Sequence, residues 1–399
     1  MTGVVRAAPV APRAARRDFL PFAVPGLGPE EEAAVLDTLR SPWITTGPKT
    51  HQFEREFAAY LDAPDALALN SCTAGLHTAL VALGVGPGDE VITTPMTFTA
   101  TVNVIEHVGA RPVLADVTPD TLNIDPACVA AVLTSRTRAL IAVHYAGHPV
   151  ELDALRALAA RRGLALIEDA AHALPATYRG EHIGSGSNPV AFSFYATKNM
   201  TTGEGGMLTG DPEFLNRARI ISLHGLSRDA WQRYAAKGSW RYEVHLPGFK
   251  YNMTDIQAAI GLCQLRKLDR FHRRRRDVAT RYTAAFGGHE ALEPPVEHPH
   301  VRHAWHLYPL RLRLDALRID RDRFLEELCE RGIGASVHFV PIHLHPFYRD
   351  KYGYRPDAFP VAYTNGQRLL SLPLHPQLTD GDVEDVIDVV LDVVRAYRR

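Results

Sequence analysis

Between about residues 65 and 210, short apolar runs alternate with stretches whose apolar residues recur every three or four positions, and few folds accommodate that pattern. The runs DALALN, EVITT, RPVLAD, RALIAV, LALIED and AFSFY read as strands, while the stretch from Thr73 and the stretch Thr101 to His107 read as helices. Strands that are apolar on both faces must be covered on both faces. The pattern therefore predicts an α/β fold with a mostly parallel central sheet between two layers of helices. Ligands of such sheets gather at the carboxyl ends of the strands. Asn70 and Ser71 follow the first run, Asp169 closes LALIED, and Ser193 lies in the last run.

Two helical patterns precede the sheet, PEEEAAVLDTLRS and HQFEREFAAYLDA, with SPWITTGPK between them as a loop. After residue 252 the chain turns helical through MTDIQAAIGLCQLRKLDRF, capped by Thr254 or the residue before it. The remainder reads as a smaller α/β unit. WHLYPLRLRL is a strand, RDRFLEELCERG a helix closed by Gly332, and DGDVEDVIDVVLDVVRAYRR an amphipathic final helix. A chain of 399 residues is too long for one ordinary core. The expected division is a partly flexible arm over 1–21, a large domain over 22–252, and a linking helix with a small domain over 253–399.

Composition narrows the function classes. A formal net charge of -1 argues against the broad basic footprint of a nucleic-acid binder. The local run Arg273 to Arg276 reads as the solvated face of a helix. Apolar runs stop well short of membrane-spanning length, and the Ala-, Arg- and Pro-rich first residues lack the apolar core of a secretory signal. Cys72, Cys128, Cys263 and Cys329 have no paired spacing, which fits a reducing cytoplasm.

Lysine is scarce, six of 44 basic residues, and Lys198 sits between an apolar strand-like run and the glycine-rich turn Gly203 to Gly206. Desolvation there would lower its pKa and free its lone pair for imine formation. The rival readings are a snorkelling surface lysine and Lys250 in GFKYN as the reactive amine. Asp169, at the buried mouth of the sheet, needs a cationic partner. A protonated pyridine nitrogen would serve, the pairing that lets pyridoxal phosphate act as an electron sink; a turn or cap residue is the plainer alternative. Asn70 to Gly75, at a helix start, offers amides and the Thr73 hydroxyl to a phosphate, and Ser193 and Asn252 add side-chain donors. Phe98 is placed to stack on a flat ring or to serve as plain core. His338, His343 and His345 raise the question of a metal, but Pro341 and Pro346 place them in a loop without recognisable ligand spacing, so no metal is expected.

Taken together these stretches resemble the DegT/StrS-type sugar aminotransferases, pyridoxal-phosphate enzymes of the aspartate aminotransferase fold (fold type I). The resemblance runs from about residue 22 to 397 through TTGP, NSCTAGLHTAL, VITTPMTFTAT, IEDAAHAL, SFYATKNMTTGEGG, GFKYNMTDIQAAIGLCQL, HAWHLYPL and LSLPLHP. It implies that Lys198 holds the cofactor as a Schiff base and shuttles the proton, and that Asp169 keeps the ring nitrogen protonated. Phe98 would stack on the ring and His172 would contact its hydroxyl side. Thr73, the Ala74 amide, Ser193 and, from a second subunit, Asn252 would hold the phosphate, making an obligatory homodimer. The chain departs from the family's usual Ser-Gly-Thr with Ser71-Cys72-Thr73. Related sugar dehydratases carry histidine at the position of Lys198, so lysine here implies amino transfer. His172 with the HGLSRDAWQRY and GSWRYEV stretches resembles enzymes aminating carbon 4. The implied reaction moves an amino group from glutamate to a nucleoside-diphosphate-linked 4-keto-6-deoxy sugar. Trp43, Thr45, Arg228, His338 and His343 are candidates for the substrate side. Amination at carbon 3, amination of a keto-cyclitol, and a non-catalytic cofactor-binding regulator are the alternatives.

Overall fold

Seven strands of the described residues form the central sheet, with helices packed on both faces. The computed structural model describes residue 16, residues 18–226 and residues 243–399. Its first nine strands are β1 (Ala66–Leu69), β2 (Glu90–Thr93), β3 (Arg111–Leu114), β4 (Thr137–Val143), β5 (Ala165–Asp169), β6 (Thr177–Tyr178), β7 (Glu181–His182), β8 (Val190–Ser193) and β9 (Gly206–Thr209). The sheet order is β1-β9-β8-β5-β4-β2-β3. The pairs of β5 with β8, β4 with β5, β2 with β4 and β2 with β3 are parallel. β9 runs antiparallel to both β8 and β1, and was not among the expected strands. Its four residues, GMLT, follow so closely on the glycine-rich turn that no separate period shows.

Seven helices accompany these strands: α1 (Pro29–Arg40), α2 (Pro48–Leu61), α3 (Cys72–Ala82), α4 (Thr99–His107), α5 (Pro126–Val132), α6 (Leu152–Arg162) and α7 (Pro212–Ser222). Alternation along each strand sorts the layers. Ala66, Ala68, Leu140, Leu166 and Phe192 face a core with Phe53 and Phe57 of α2 and Leu155 of α6. Leu67, Leu69, Ala139, Ile141, Ile167 and Ala191 face the opposite core with Leu76 and Leu80 of α3, Ile105 of α4 and Leu215 of α7. No helix of the described residues is long and apolar enough to cross a membrane.

Helix α8 (Asp255–Phe286) has 32 residues and spans about 48 Å at the usual helical rise. Thr254 caps it in a reciprocal box, accepting from the Gln257 amide at 3.3 Å while Gln257 accepts from the Thr254 amide at 3.0 Å. Its first turns, through Ala258, Leu262 and Leu265, belong to the core of the large sheet. Its last, through Val278, Tyr282 and Phe286, belong to a second core. That core is built with β10 (Leu292–Glu293), β12 (Tyr308–Leu312), α9 (Arg321–Glu330), β13 (Leu369–Leu372) and α12 (Asp380–Tyr397), while β11 (Val301–Arg302), α10 (Pro346–Tyr352) and α11 (Pro360–Arg368) lie outside it. β10, β12 and β13 form an antiparallel sheet, while β11 pairs with β6 and so ties the two parts together. α12 buries Val383, Val386, Val390 and Val393, the three- and four-residue spacing that marks its amphipathic face.

Two expectations change. The Arg273 to Arg276 run is not wholly solvated: Arg275 is buried, and its guanidinium donates to the carbonyls of Trp305 (3.3 Å), His306 (3.2 Å) and Leu374 (2.5 Å). Helical geometry puts one residue in four of the run against the second core, where its Nη1 serves three backbone carbonyls. The segment around Pro346 is not all loop, because proline at the first position of a helix is tolerated and here starts α10.

α2 begins at Gly47, which has no side chain to cap it, and Asp255 does so from 208 residues away. Its carboxylate accepts from the amides of Gly47 (2.9 Å), Lys49 (3.1 Å) and Thr50 (2.9 Å) and from the Thr50 hydroxyl (2.7 Å). Asp255→Ala strands these donors in a buried place and should cost about 3 kcal/mol of unfolding free energy in denaturant titration. A loss below about 1 kcal/mol would show that water replaces the carboxylate.

Candidate active site

The carboxyl ends of β4, β5 and β8 open onto a cavity of about 630 Å³, lined by Thr73, Phe98, Asp169, His172, Ser193, Lys198 and His338 among others. Seven of the residues singled out in the sequence therefore meet in one place. Asp169 is the last residue of β5 and is buried. Its carboxylate accepts from the Thr101 hydroxyl (2.8 Å) and the Ala171 amide (3.1 Å), and the Cys72 thiol lies 3.9 Å away. The Thr97 hydroxyl, 2.7 Å from that of Thr101, extends this chain and fixes its direction. Burial outweighs these bonds and raises the carboxyl pKa above its usual value. Among the described residues no cation forms an ion pair with it.

Lys198 follows β8 in a turn stapled back onto the strand: Thr202 donates its amide and Thr201 its hydroxyl to the Phe194 carbonyl, at 2.9 and 3.0 Å. Gly203, at φ +79°, lets the chain reverse there. Loss of hydration lowers the Lys198 pKa to about 8, against the pull of Cys72 and Asp169. Lys250 is exposed, hydrogen-bonded to Asn252, and does not line the cavity, so the two lysines are no longer equivalent. Next to Lys198, Asn199 donates to the carbonyls of Leu174 (2.7 Å) and Ala304 (2.9 Å) and turns its oxygen to His306 Nδ1 at 3.1 Å.

The start of α3 forms the other wall. Gly206 of β9 passes so close that a Cβ there would lie 2.4 Å from the Ser71 carbonyl carbon and 2.5 Å from the Cys72 nitrogen. Thr73 faces the cavity, as does Ser193, paired with Gly206 across the sheet. Ala74 does not offer a free amide: the Ser71 side chain caps the helix and takes it at 3.1 Å. The capping that starts the helix thus competes with the expected use of that amide.

His172 is buried with Nδ1 unpartnered, its ring 4.4 Å from that of His306 and stacked on Phe339 at 5.8 Å. Burial pushes His172 and His306 well below the usual imidazole pKa and His338 to about 4, so three neutral rings surround Lys198. His338 Nδ1 lies 3.0 Å from the Ser371 hydroxyl. Thr101, His306 and Phe339 were not singled out, although the stretch HAWHLYPL carries His306. A helix-start threonine or an isolated aromatic has no sequence signal that separates site from core.

The remaining candidates lie elsewhere. Trp43 donates to the Thr46 carbonyl at 2.7 Å, the Thr45 carbonyl accepts from the Asp255 amide at 3.1 Å, and Asn252 donates to the Thr46 hydroxyl at 2.6 Å. These residues form one patch that does not line this chain's cavity. His343 does not reach it either, being fully buried with Nε2 3.0 Å from the Pro356 carbonyl. Arg228 lies outside the described residues.

The family model for DegT/DnrJ/EryC1/StrS aminotransferases matches residues 25–391. The chain belongs to that family. This aminotransferase is 50% identical over 382 residues to the spore coat polysaccharide biosynthesis protein SpsC of Bacillus subtilis, covering 95% of this chain and 98% of SpsC. Among solved structures, the PMP-form of the putative sugar aminotransferase Spr1654 from Streptococcus pneumoniae superposes with a TM-score of 0.89 at 36% identity, covering 94% and 99% of the two chains. DesV of S. venezuelae, solved in complex with a ketimine intermediate, superposes with a TM-score of 0.84 at 38% identity, covering 92% and 94%.

The depressed pKa of Lys198 has a measurable sign. In the cofactor-free aminotransferase, reductive methylation of Lys198, followed by peptide mass spectrometry, should level off above about pH 9 because the amine is already neutral. Ordinary lysines should keep gaining roughly tenfold per pH unit to beyond pH 10. A Lys198 profile that follows theirs would remove the argument for an activated amine.

Proposed function

We propose that this sugar aminotransferase transfers the amino group of glutamate to a nucleoside-diphosphate-linked 4-keto-6-deoxy sugar, acting in the cytoplasm as a homodimer. One observation carries the reading. A lysine whose pKa is lowered to about 8 and a buried carboxylate lacking a cation face the same cavity, in a family whose chemistry is amino transfer. Pyridoxal phosphate fits these residues. Its ring nitrogen, when protonated, is the cation Asp169 lacks; its ring oxygen suits the unpartnered His172 Nδ1; and its phosphate suits the start of α3. When bound, it supplies the electron sink for the carbanion formed as a proton leaves the donor carbon.

The chain's own residues do the rest. Asp169 holds the proton on the ring nitrogen, oriented by Thr101. Lys198 Nζ would anchor the aldehyde carbon; displaced by glutamate, it would take the Cα proton and pass it to that same cofactor carbon, and in the second half-reaction it would carry a proton from there to the sugar carbon. Phe98 covers one ring face, and Thr73 and Ser193 bind the phosphate; Ala74 joins them if Ser71 turns aside. Asn252 reaches the phosphate of the neighbouring subunit, and the Trp43–Thr45 patch moves with it toward that subunit's substrate, together with His338 and Arg228. The location of Asn252 and Trp43 outside their own cavity supports a shared site. On this reading 22–252 is the cofactor domain and 253–399 the linking helix with the small domain.

Lys198→Ala should abolish transamination and leave no phosphopyridoxyl adduct after borohydride reduction, while circular dichroism stays native. An adduct found on another lysine would overturn the assignment. Asp169→Asn should slow turnover about a hundredfold, with a larger effect on kcat than on KM for glutamate. Hybrid dimers of Lys198→Ala and Asn252→Ala chains should regain activity, because one site then has both residues intact; two inactive parents that give an inactive hybrid would refute sharing. The acceptor is identified by which nucleotide keto sugar reoxidises the glutamate-treated enzyme, read from its visible spectrum.

A further inference from the structure

Away from the cavity, Glu151, His298 and His300 bring three ligand atoms within 4.8 Å of one another. Glu151 Oε1 lies 3.0 Å from His300 Nε2 and 3.6 Å from His298 Nδ1. Around a zinc ion with bonds near 2.0 to 2.2 Å, tetrahedral ligands stand roughly 3.4 Å apart, so these separations need only small rotations. The outer contacts are those that orient a metal ligand. His298 donates through its other nitrogen to Asp120 Oδ2 at 3.0 Å, which leaves the lone pair of Nδ1, turned toward Glu151, for a metal. The second Glu151 oxygen is 3.5 Å from the Tyr178 hydroxyl, and the edge of the Tyr178 ring meets His300 at 5.4 Å. The backbone is held as well: the His298 amide donates to His148 Nε2 at 3.4 Å and the His300 carbonyl accepts from the Arg179 amide at 2.7 Å.

We propose that Glu151, His298 and His300 bind a divalent transition-metal ion, zinc, with water in the fourth position. Two imidazoles and one carboxylate suit zinc rather than magnesium or calcium, which prefer oxygen alone. The three half-buried side chains leave access from solvent for the ion and its water. The site joins the residue before α6 to the connector between β10 and β11, and so clamps the segment that leads into β11 and its pairing with β6. None of the three residues lines the cavity, so the ion is a clamp and takes no part in amino transfer.

The holoenzyme, dialysed against EDTA and then against chelator-free buffer, should take up one zinc equivalent per chain with micromolar or tighter affinity, and its melting temperature should rise and fall back on adding EDTA. The double variant Glu151→Gln/His300→Gln should lose that uptake and the thermal shift while keeping transamination. Asp120→Asn should weaken binding about ten- to a hundredfold. X-ray absorption of the zinc-loaded wild type should show two imidazole nitrogens with oxygen and no sulfur, a readout that stands even if the double variant fails to fold. Absence of stoichiometric uptake, uptake undiminished in a folded double variant, or sulfur in the zinc shell would each overturn the proposal.

Discussion

A carboxylate placed at the end of a fully buried strand is the constraint around which this protein is arranged. Asp169 leaves water when β5 enters the sheet, and a hydroxyl and an amide only partly replace its hydration. The same loss of solvent acts on Lys198 with the opposite sign. It raises the acid and lowers the base, so both groups are held closer to neutral than they would be in water. On the proposed reading, a cofactor carrying a cationic ring and an electrophilic carbon relieves both.

Holding that cavity open to substrate and closed at its floor takes polar residues that act over long stretches of chain. Asp255, at the start of α8, caps α2; Arg275, two-thirds along the same helix, collects three carbonyls from the second core; and Asn199 fastens the turn after Lys198 to the carbonyls of Leu174 and Ala304. Each is a buried polar group whose partners are mostly backbone atoms, so each has a defined geometry and a high cost of misplacement. Apolar layers decide that the sheet is covered. These residues decide how the covering elements are oriented on it.

The neutral histidines beside Lys198 give the cavity a second character. Imidazoles without charge do not compete with the lysine for its proton, and they present hydrogen-bonding edges toward whatever enters.

Periodicity made most of the fold legible. The six apolar runs became β1, β2, β3, β4, β5 and β8, and the helical patterns became α1, α2, α8, α9 and α12, because burial on defined faces writes a repeat into the chain. Lys198, Asp169, Thr73 and Ser193 were legible for a related reason: residues at strand ends and helix starts have their positions set by local structure. The antiparallel β9, the burial of Arg275, the loss of the Ala74 amide to Ser71 and the withdrawal of His343 from the cavity were not. Each depends on what lies opposite in space, which no spacing along the chain records. The sequence by itself determined which residues would stand at the sheet's carboxyl edge; only tertiary packing decided which of them face one another without water, and desolvation is what turns that facing into chemistry.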